Sequence, residues 1–328
     1  MQPMSASVLV TGGAGFVGSH LLERLASRGR RVVCLDSFDP YYPEEAKRDN
    51  LRQALAAGDV SLREADIRDA DALRRIFSEE EVQTVVHLAA RPGVRPSLED
   101  AAPYIEININ GTLNLLNVCR EFGVSRFVFA SSSSVYGQIG TAAANEDSSP
   151  CRPLSPYGAS KVAGEALCSA YANAFGLNVI VLRFFTVYGP RQRPDMAICR
   201  FTRLIAEGRE VPIYGDGNSL RDYTFVSDTV DGVEAATNLP LEGFHVLNLG
   251  QGRPVQLSRV VQLIEENLGV RARLEFLPAQ AGDPYLTCAD IGRAAAVLGY
   301  SPAVSIEEGI AAYARWFKER YGVPSRTH

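Results

Sequence analysis

Three residue types with the spacing of a redox site occur between residues 126 and 161. Tyr157 and Lys161 lie four positions apart in SPYGASK, which places both side chains on one face of a predicted helix. An adjacent ammonium favours the phenolate form of a tyrosine, so Tyr157 can accept an alcohol proton. A hydroxyl from Ser132, in the serine run that ends the predicted strand RFVFASSSS, would orient the same alcohol. The three residues predict alcohol oxidation or carbonyl reduction; the alternative is a surface Tyr–Lys pair beside a polar loop.

A glycine-rich turn supplies the place for a redox cofactor. Gly12, Gly15 and Gly18 have the spacing G-x-x-G-x-x-G between the predicted strand SVLVTG and a helical pattern. Such glycines let the backbone approach a pyrophosphate, whose charge is met by free amides at the helix N-terminus. A turn without a ligand is the alternative, but the next strand, RVVCLD, ends in Asp36 at the usual distance for a carboxylate that binds ribose hydroxyls. Because Asp36 would repel a 2′-phosphate and residues 37–39 include no arginine, NAD is predicted rather than NADP.

Further cofactor contacts are predicted after the third and fourth strands. Two roles fit Asp66: holding the adenine edge together with Ile67, or capping the helix at 70–77. His87 is interpreted as a packed histidine, and the small residues after it would let the backbone pass close to a dinucleotide. The predicted cofactor-binding residues are Gly12, Gly15, Phe16, Val17, Gly18, Asp36, Asp66, Ile67, Leu88, Ala89, Ala90, Tyr157 and Lys161.

The elements that position these residues alternate along the chain. The short apolar runs SVLVTG, RRVVCLD, VSLREAD, TVVHLAA, SRFVFASS and LNVIVLRF are separated by helical segments, which is typical of an α/β protein with a doubly wound parallel Rossmann sheet. We assign residues 1–187 to this cofactor-binding domain, with a segment near 223–250 returning to it. Residues 188–328 mainly form a smaller mixed α/β substrate-binding lobe. The closing stretch SIEEGIAAYARWFKERYG predicts a capped amphipathic helix.

Composition narrows the class of partner. With 328 residues, 46% of them hydrophobic, the chain can bury a sizeable core. Its net charge of −5 argues against nucleic-acid binding, which selects basic surfaces, and favours a small-molecule partner. The six cysteines are scattered without a C-x-x-C pair and are interpreted as reduced thiols. No spacing of the four histidines predicts a metal site, and no apolar run is long enough to span a membrane. Cytoplasmic localisation is expected.

With these motifs in place, the sequence resembles the nucleotide-sugar epimerase/dehydratase family of extended short-chain dehydrogenases over nearly its whole length, and within it most closely the UDP-glucuronate 4-epimerases. The motifs that carry the resemblance are TGGAGFVGSHL, DSFDPYY, HLAARPGVRPS, NINGTLNLL, SSSSVYG, SPYGASK, RFFTVYGPRQRPDM, GDGNSLRDYTFVSD and AGDP. The chain departs from the usual pattern at Arg91, Pro92 and Pro96.

The resemblance implies a catalytic triad and a reaction. Tyr157 and Lys161 match the family's catalytic pair, and Ser132 matches its Ser/Thr, with Ser133 and Ser134 as substitutes. Related dehydratases and decarboxylases carry an acidic residue before V-Y-G, where this chain has Ser134. The resemblance therefore favours C4 epimerisation of a UDP-sugar by transient oxidation to a 4-keto intermediate, with NAD tightly bound throughout.

The resemblance also implies substrate contacts. Thr186, Arg193 and the hydroxyls of the serine run are expected to restrain the sugar carboxylate, although an exposed loop arginine is an equal reading of Arg193. Arg221 matches an arginine that binds the diphosphate, and Asp283 matches a residue near the uridine ribose; inter-lobe salt bridges are the alternative for both. Arg95 is expected to touch the substrate.

Other outcomes stay open. The same site would suit a UDP-glucose or UDP-N-acetylhexosamine 4-epimerase, or a UDP-glucuronate decarboxylase. A non-catalytic dinucleotide-sensing module would use the same fold, but it has no need for Ser132, Tyr157 and Lys161 together. Relatives also suggest a homodimer formed through helices beginning near Ala101 and Pro156.

Overall fold

Strands and helices alternate through the first half of the chain, as the pattern of apolar runs predicts. The computed structural model describes residues 7–140, 142–147, 151–279, 282 and 284–322. The strands are β1 (Ser7–Thr11), β2 (Val32–Asp36), β3 (Val60–Glu64), β4 (Val82–His87), β5 (Arg126–Ser132), β6 (Asn178–Phe184), β7 (Thr186–Tyr188), β8 (Glu210–Tyr214), β9 (Leu220–Arg221), β10 (Tyr223–Phe225), β11 (Phe244–Leu249), β12 (Val255–Gln256) and β13 (Arg273–Leu277).

The helices fill the connections between these strands. They are α1 (Phe16–Ser27), α2 (Glu44–Ala57), α3 (Ala70–Glu80), α4 (Val94–Glu99), α5 (Ala102–Tyr104), α6 (Thr112–Glu121), α7 (Pro156–Phe175), α8 (Ala197–Ala206), α9 (Val226–Asn238), α10 (Leu257–Leu268), α11 (Gly292–Leu298) and α12 (Ile306–Tyr321). A π-helical turn, Ile105–Gly111, joins α5 to α6, and a 3₁₀ turn, Ser133–Val135, follows β5.

Seven parallel strands form the central sheet in the order β11-β6-β5-β4-β1-β2-β3. This confirms the predicted doubly wound Rossmann sheet, including all six predicted strands. The chain runs outward from β1 through β2 to β3 and then resumes on the other side of β1 with β4. Such a reversal opens a crevice at the carboxyl ends of the strands, where open α/β sheets bind their ligands.

Each face of the sheet packs against its own hydrophobic core. Leu22 of α1 and Val233 of α9 belong to the core on one face. Leu73 of α3, Leu116 of α6 and Cys168 of α7 belong to the core on the other. Helices on both faces explain why the strands are continuously apolar rather than alternating.

A third hydrophobic core is formed by residues from the second half of the chain. Ile198 of α8, Val260 of α10 and Ile310 of α12 pack there, beside the parallel pair β8 and β13. Helix α12 begins with the predicted cap, because Ser305 and Glu308 form a reciprocal capping box. Within the described ranges, no helix is long and apolar enough to cross a lipid bilayer.

Helix α7 approaches β5 unusually closely, and one glycine permits this. A Cβ atom built on Gly164 would lie 2.5 Å from the Cζ atom of Phe129, whose ring is fully buried in β5. The close approach brings the first turns of α7, with Tyr157 and Lys161, to the carboxyl end of β5. Gly164 therefore links the packing of the fold to the geometry of the site.

Replacing Gly164 with alanine should destabilise the protein by about 1–3 kcal/mol, the usual cost of overpacking a filled core. The added methyl group must displace the Phe129 ring or move α7 away from β5. The free energy of unfolding measured in urea checks this. Gly140→Ala is the matched control, because a Cβ at that exposed position meets no heavy atom within 4 Å; equal stability of both variants would refute the account.

Candidate active site

The glycine turn is shaped so that side chains are excluded from it. Gly12 has a φ of +68°, a left-handed conformation that favours glycine. A Cβ on Gly18 would lie 2.3 Å from the carbonyl oxygen of Gly12, so backbone packs directly on backbone. Helix α1 begins after Gly15 with no side chain bonded to its first amides. The turn and these amides fit a dinucleotide pyrophosphate.

Asp36 stands beside this turn with its carboxylate fixed. Its two oxygens accept hydrogen bonds from the amides of Ala14 (3.0 Å) and Phe38 (2.9 Å). Burial raises the pKa of the carboxyl group, and these amides and the Lys47 ammonium oppose that effect. Asp36 lines the same cavity as the glycine turn, which fits the binding of ribose hydroxyls.

One cavity joins the glycine turn to the predicted catalytic residues. All thirteen predicted cofactor-binding residues line it, including both Tyr157 and Lys161. Arg193, a predicted substrate residue, also lines it. The lining residues that were not assigned from the sequence include Ser37, Asp39, Tyr41, Tyr42, Lys47, Arg91, Pro92, Ile107, Ser131 and Phe184.

The second role considered for Asp66 is wrong. The N-cap of α3 is Asp69, whose carboxylate accepts hydrogen bonds from the amides of Asp71 and Ala72. Asp66 instead accepts hydrogen bonds from the amide and guanidinium of Arg68 and lines the cavity.

Lys161 is buried with its ammonium directed at the sheet. Its side chain is 4% exposed, and Nζ donates a 2.8 Å hydrogen bond to the carbonyl oxygen of Ala130. Burial lowers the pKa of Lys161 to about 8, and the charge of Glu165, one turn further along α7, opposes this effect. The lysine is thus held charged at neutral pH beneath the cavity.

Tyr157 has two polar neighbours that favour its ionised form. Burial raises the pKa of its phenol, while a hydrogen bond with Ser132 and the positive charge of Arg193 act in the opposite direction. The sequence did not point to Arg193 as an influence on Tyr157. The Ser132 hydroxyl and the Arg193 guanidinium thus both favour the phenolate of a tyrosine that lines the cavity.

The four serines have different partners. Ser132 ends β5; its hydroxyl accepts from the amide of Ser134 and donates to the Ser134 hydroxyl, both at 3.1 Å. The Ser131 hydroxyl donates instead to the buried Glu165 carboxylate. Ser133 and Ser134 form the first two positions of the 3₁₀ turn. Ser132 is the member of the run that contacts Tyr157.

Beneath these residues lies a buried ion pair. Arg183 of β6 donates from Nε and Nη2 to the two carboxylate oxygens of Glu165, at 2.9 and 2.7 Å. Both side chains are less than a tenth exposed. The pair ties α7 to the ends of β5 and β6, because Ser131 shares the same carboxylate.

Three further predicted substrate residues, Thr186, Arg221 and Arg95, do not line this cavity. Thr186 begins β7. The guanidinium of Arg221 donates to the carbonyl oxygens of Leu220 (3.0 Å) and Tyr285 (3.1 Å). Arg95 stacks on the Tyr214 ring, 4.4 Å from its centroid. The position of Asp283 falls outside the described residues.

Residues 8–250 match the model of the NAD dependent epimerase/dehydratase family. The chain belongs to this family. It is 40% identical to a UDP-glucuronate 4-epimerase of Thermodesulfobacterium geofontis over 95% of this chain and 96% of that one.

Solved structures of family members superpose closely. A Bacillus cereus UDP-glucuronic acid 4-epimerase in complex with UDP-glucuronic acid and NAD is 37% identical, with a TM-score of 0.91 over 96% of this chain and all of that one. A Thermus thermophilus UDP-glucose 4-epimerase in complex with NAD is 34% identical, with a TM-score of 0.87 over 95% and 99%.

Most of the cavity residues that the sequence did not predict lie in the connections that follow β2 and β4. Tyr41, Tyr42 and Lys47 follow β2, and Arg91 follows β4. The DSFDPYY and HLAARPG motifs had marked both connections as family features without giving their residues a role. The Lys47 ammonium donates to the Asp39 carbonyl oxygen (2.7 Å), and Arg91 pairs with the Asp39 carboxylate (2.9 Å), so Asp39 joins the two connections.

His87 is a packed histidine, as predicted from its position. It bridges the hydroxyls of Thr11 (Nδ1, 2.7 Å) and Thr112 (Nε2, 2.9 Å). Since Thr112 donates its own proton to the Asn108 carbonyl oxygen, Nε2 must carry the imidazole proton. Burial lowers the pKa of His87 to about 3, so it stays neutral in the folded protein.

The buried His87 should make the protein less stable in mild acid. In the unfolded chain it binds a proton below its ordinary pKa near 6.5, whereas in the folded protein it stays neutral down to about 3. The free energy of unfolding therefore falls as pH drops from 6.5, by up to about 1.4 kcal/mol per unit from this group. His87→Gln should show a flatter dependence between pH 6.5 and 4 in urea titrations; parallel curves would exclude this role.

Proposed function

We propose that the protein interconverts UDP-glucuronate and UDP-galacturonate by reversible epimerisation at C4, using tightly held NAD. The observation that carries this proposal is the single cavity in which Tyr157, Lys161 and Arg193 meet the glycine turn and Asp36. The similarity to UDP-glucuronate 4-epimerases supports the choice of sugar.

The residues present suit NAD. When bound, NAD supplies a reversible hydride acceptor. The free amides after Gly15 would hold its pyrophosphate, and the Asp36 carboxylate would bind the adenosine ribose. Asp66 and Ile67 would flank the adenine, and residues 88–90 offer backbone and small side chains along the dinucleotide.

Tyr157 handles the proton of the reaction. Its phenolate accepts the proton of the sugar's C4 hydroxyl, and Ser132 holds the same oxygen by a hydrogen bond. Lys161 and Arg193 stabilise the phenolate by charge. The sugar becomes a 4-keto intermediate, turns within the site so that reduction occurs on its other face, and recovers its proton from Tyr157.

Epimerisation is favoured over elimination because the residues that follow β5, Ser133 and Ser134, carry no acidic side chain. Ser133 and Ser134 occupy the positions where an acid is needed for later steps in related dehydratases and decarboxylases. Neither hydroxyl can serve as a general acid–base at neutral pH without an activating partner. Hydride removal and return then form the complete reaction.

The carboxylate of a glucuronate requires restraint. Its 4-keto form is a β-keto acid, which loses carbon dioxide when the carboxylate stands perpendicular to the carbonyl. Arg193 lines the cavity with Tyr157 and Thr186 lies seven residues earlier on the same segment. We assign these two residues and the serine hydroxyls to hold the carboxylate by hydrogen bonds.

The rest of the nucleotide is assigned to the smaller lobe. Arg221 would bind the diphosphate, as guanidinium groups suit paired phosphate oxygens. Arg95 and Asp283 would contact the nucleotide or its ribose. Residues 1–187, with 223–250, would act as the NAD-binding domain and the remainder of 188–328 as the substrate lobe.

A cytoplasmic homodimer is the proposed assembly. Exposed apolar side chains at Leu98, Ile105 and Leu154 lie near the starts of the helices expected to form its interface. The six cysteines are free thiols, which is consistent with a reducing compartment.

The decisive assay is turnover of UDP-glucuronate by the purified protein without added NAD, followed by NMR of the anomeric proton. UDP-galacturonate should appear, and Tyr157→Phe should lower its rate by about 10²–10⁴-fold through loss of the proton acceptor. A UDP-pentose product would replace the assignment with decarboxylation. Turnover of UDP-glucose alone would change the sugar, and an active Tyr157→Phe would revive a non-catalytic reading of the triad.

Arg193→Ala should raise the share of decarboxylated product. The freed carboxylate can then rotate to the reactive orientation, while Tyr157 and Lys161 still carry out oxidation. The ratio of UDP-pentose to UDP-galacturonate by NMR checks this. An unchanged ratio would count against the restraint, and Arg209→Ala, on the exposed surface, is the control.

A further inference from the structure

The Arg193 guanidinium already has a carboxylate partner within the protein. Its Nε and Nη2 atoms donate to the two oxygens of Asp195, each at 3.0 Å. The Arg193 side chain is 21% exposed and that of Asp195 is 38% exposed. The bidentate edge of Arg193 that best matches a carboxylate is therefore occupied.

Asp195 is itself held from the cofactor side of the cavity. The Tyr41 hydroxyl donates to its second oxygen (3.3 Å). The guanidinium groups of Arg91 and Arg193 lie 4.6 and 5.9 Å from the centroid of the Tyr41 ring. Tyr41, Arg91 and Arg193 all line the cavity. The Arg193–Asp195 ion pair therefore contacts Tyr41, a residue that lines the cavity.

The second arginine of the cavity, Arg91, also has a carboxylate partner within the protein. Arg91 donates to the carboxylate of Asp39 at 2.9 Å, and the Lys161 ammonium is directed at a backbone carbonyl. A negatively charged sugar that enters the cavity meets cations that already have partners. It must share or exchange one of them.

We propose that Asp195 is a specificity-determining residue, an internal carboxylate that exchanges with the carboxylate of the substrate on Arg193. The inference rests on the proposed function, because a sugar with a neutral hydroxymethyl group has no charge to exchange. Such a sugar leaves the Arg193–Asp195 pair intact, whereas a glucuronate competes with it. Asp195 therefore weakens the binding of acidic sugars selectively and eases the release of both epimers.

Asp195→Asn removes the negative charge of residue 195 and nearly preserves the size and shape of its side chain. The amide keeps an oxygen that can accept from Arg193 or Tyr41, but it removes the negative charge that competes with the substrate. Dissociation constants of UDP-glucuronate and UDP-glucose are measured by calorimetry on the NAD-loaded protein, with Tyr157→Phe in every sample to prevent turnover. Asp195→Asn should tighten UDP-glucuronate binding by about three- to fivefold, the upper part of the range that a part-exposed ion pair contributes. It should change UDP-glucose binding by less than about twofold.

Two further variants show whether the effect passes through Arg193. In an Arg193→Ala background, Asp195→Asn should no longer change the preference for the acidic sugar, because the exchanged cation is absent. Glu207→Gln breaks a comparable pair two residues apart on the exposed surface, with Arg209 at 3.0 Å, and should leave both constants unchanged. A fold defect would instead alter both sugars and the melting temperature.

The outcomes separate the two proposals. If Asp195→Asn leaves the ratio of the two constants unchanged, or weakens UDP-glucuronate binding, the exchange is refuted while the epimerase assignment stands. If the protein with an intact Asp195 binds UDP-glucose but not UDP-glucuronate, both proposals are overturned. Persistence of the effect in the Arg193→Ala background would also refute the exchange.

Discussion

The hydrogen bond from the Lys161 ammonium to the Ala130 carbonyl is the contact on which the site depends. It joins the second turn of α7 to the carboxyl end of β5 and thereby sets Tyr157, one turn earlier, at the mouth of the cavity. A buried ammonium is costly, so the lysine needs a counter-charge. Glu165 supplies it from the next turn, held by Arg183. The position of the catalytic residues therefore depends on the buried ion pair between Glu165 of α7 and Arg183 of β6.

The parallel sheet makes the rest of the site possible. Because the strands of the sheet are parallel, Gly12, Asp36 and Ser132 lie at the carboxyl ends of their strands, on the same side of the sheet, although they are far apart in sequence. Exclusion of side chains from the glycine turn and the neutral, hydrogen-bonded His87 keep this edge closely packed. Arg193, which follows β7, lines the same cavity as Tyr157. The residues proposed to bind the cofactor, accept the proton and bind the sugar therefore line one cavity at the carboxyl ends of the strands.

The spacing of residues within single strands, turns and helices predicted most of the parallel sheet and the residues at the centre of the candidate site. The six strands, the glycine turn and the Tyr157–Lys161 pair each depend on spacing inside a strand, turn or helix. Residues that reach the cavity from loops, such as Tyr41 and Arg91, were missed because a loop's path depends on its tertiary contacts. The same limit hid the Arg193–Asp195 pair. Four consecutive serines carry no pattern that separates them, so only their three-dimensional partners distinguish one from another.

In the proposed reaction, the hydrogen at C4 leaves the sugar and returns to it within one site. Turnover of UDP-glucuronate deuterated at C4, in ordinary water, tests it directly. The UDP-galacturonate formed should retain deuterium at C4, because the hydride does not exchange with solvent while the 4-keto sugar turns. Product that carries solvent hydrogen at C4 would contradict it, since that result requires proton exchange or release of an open intermediate.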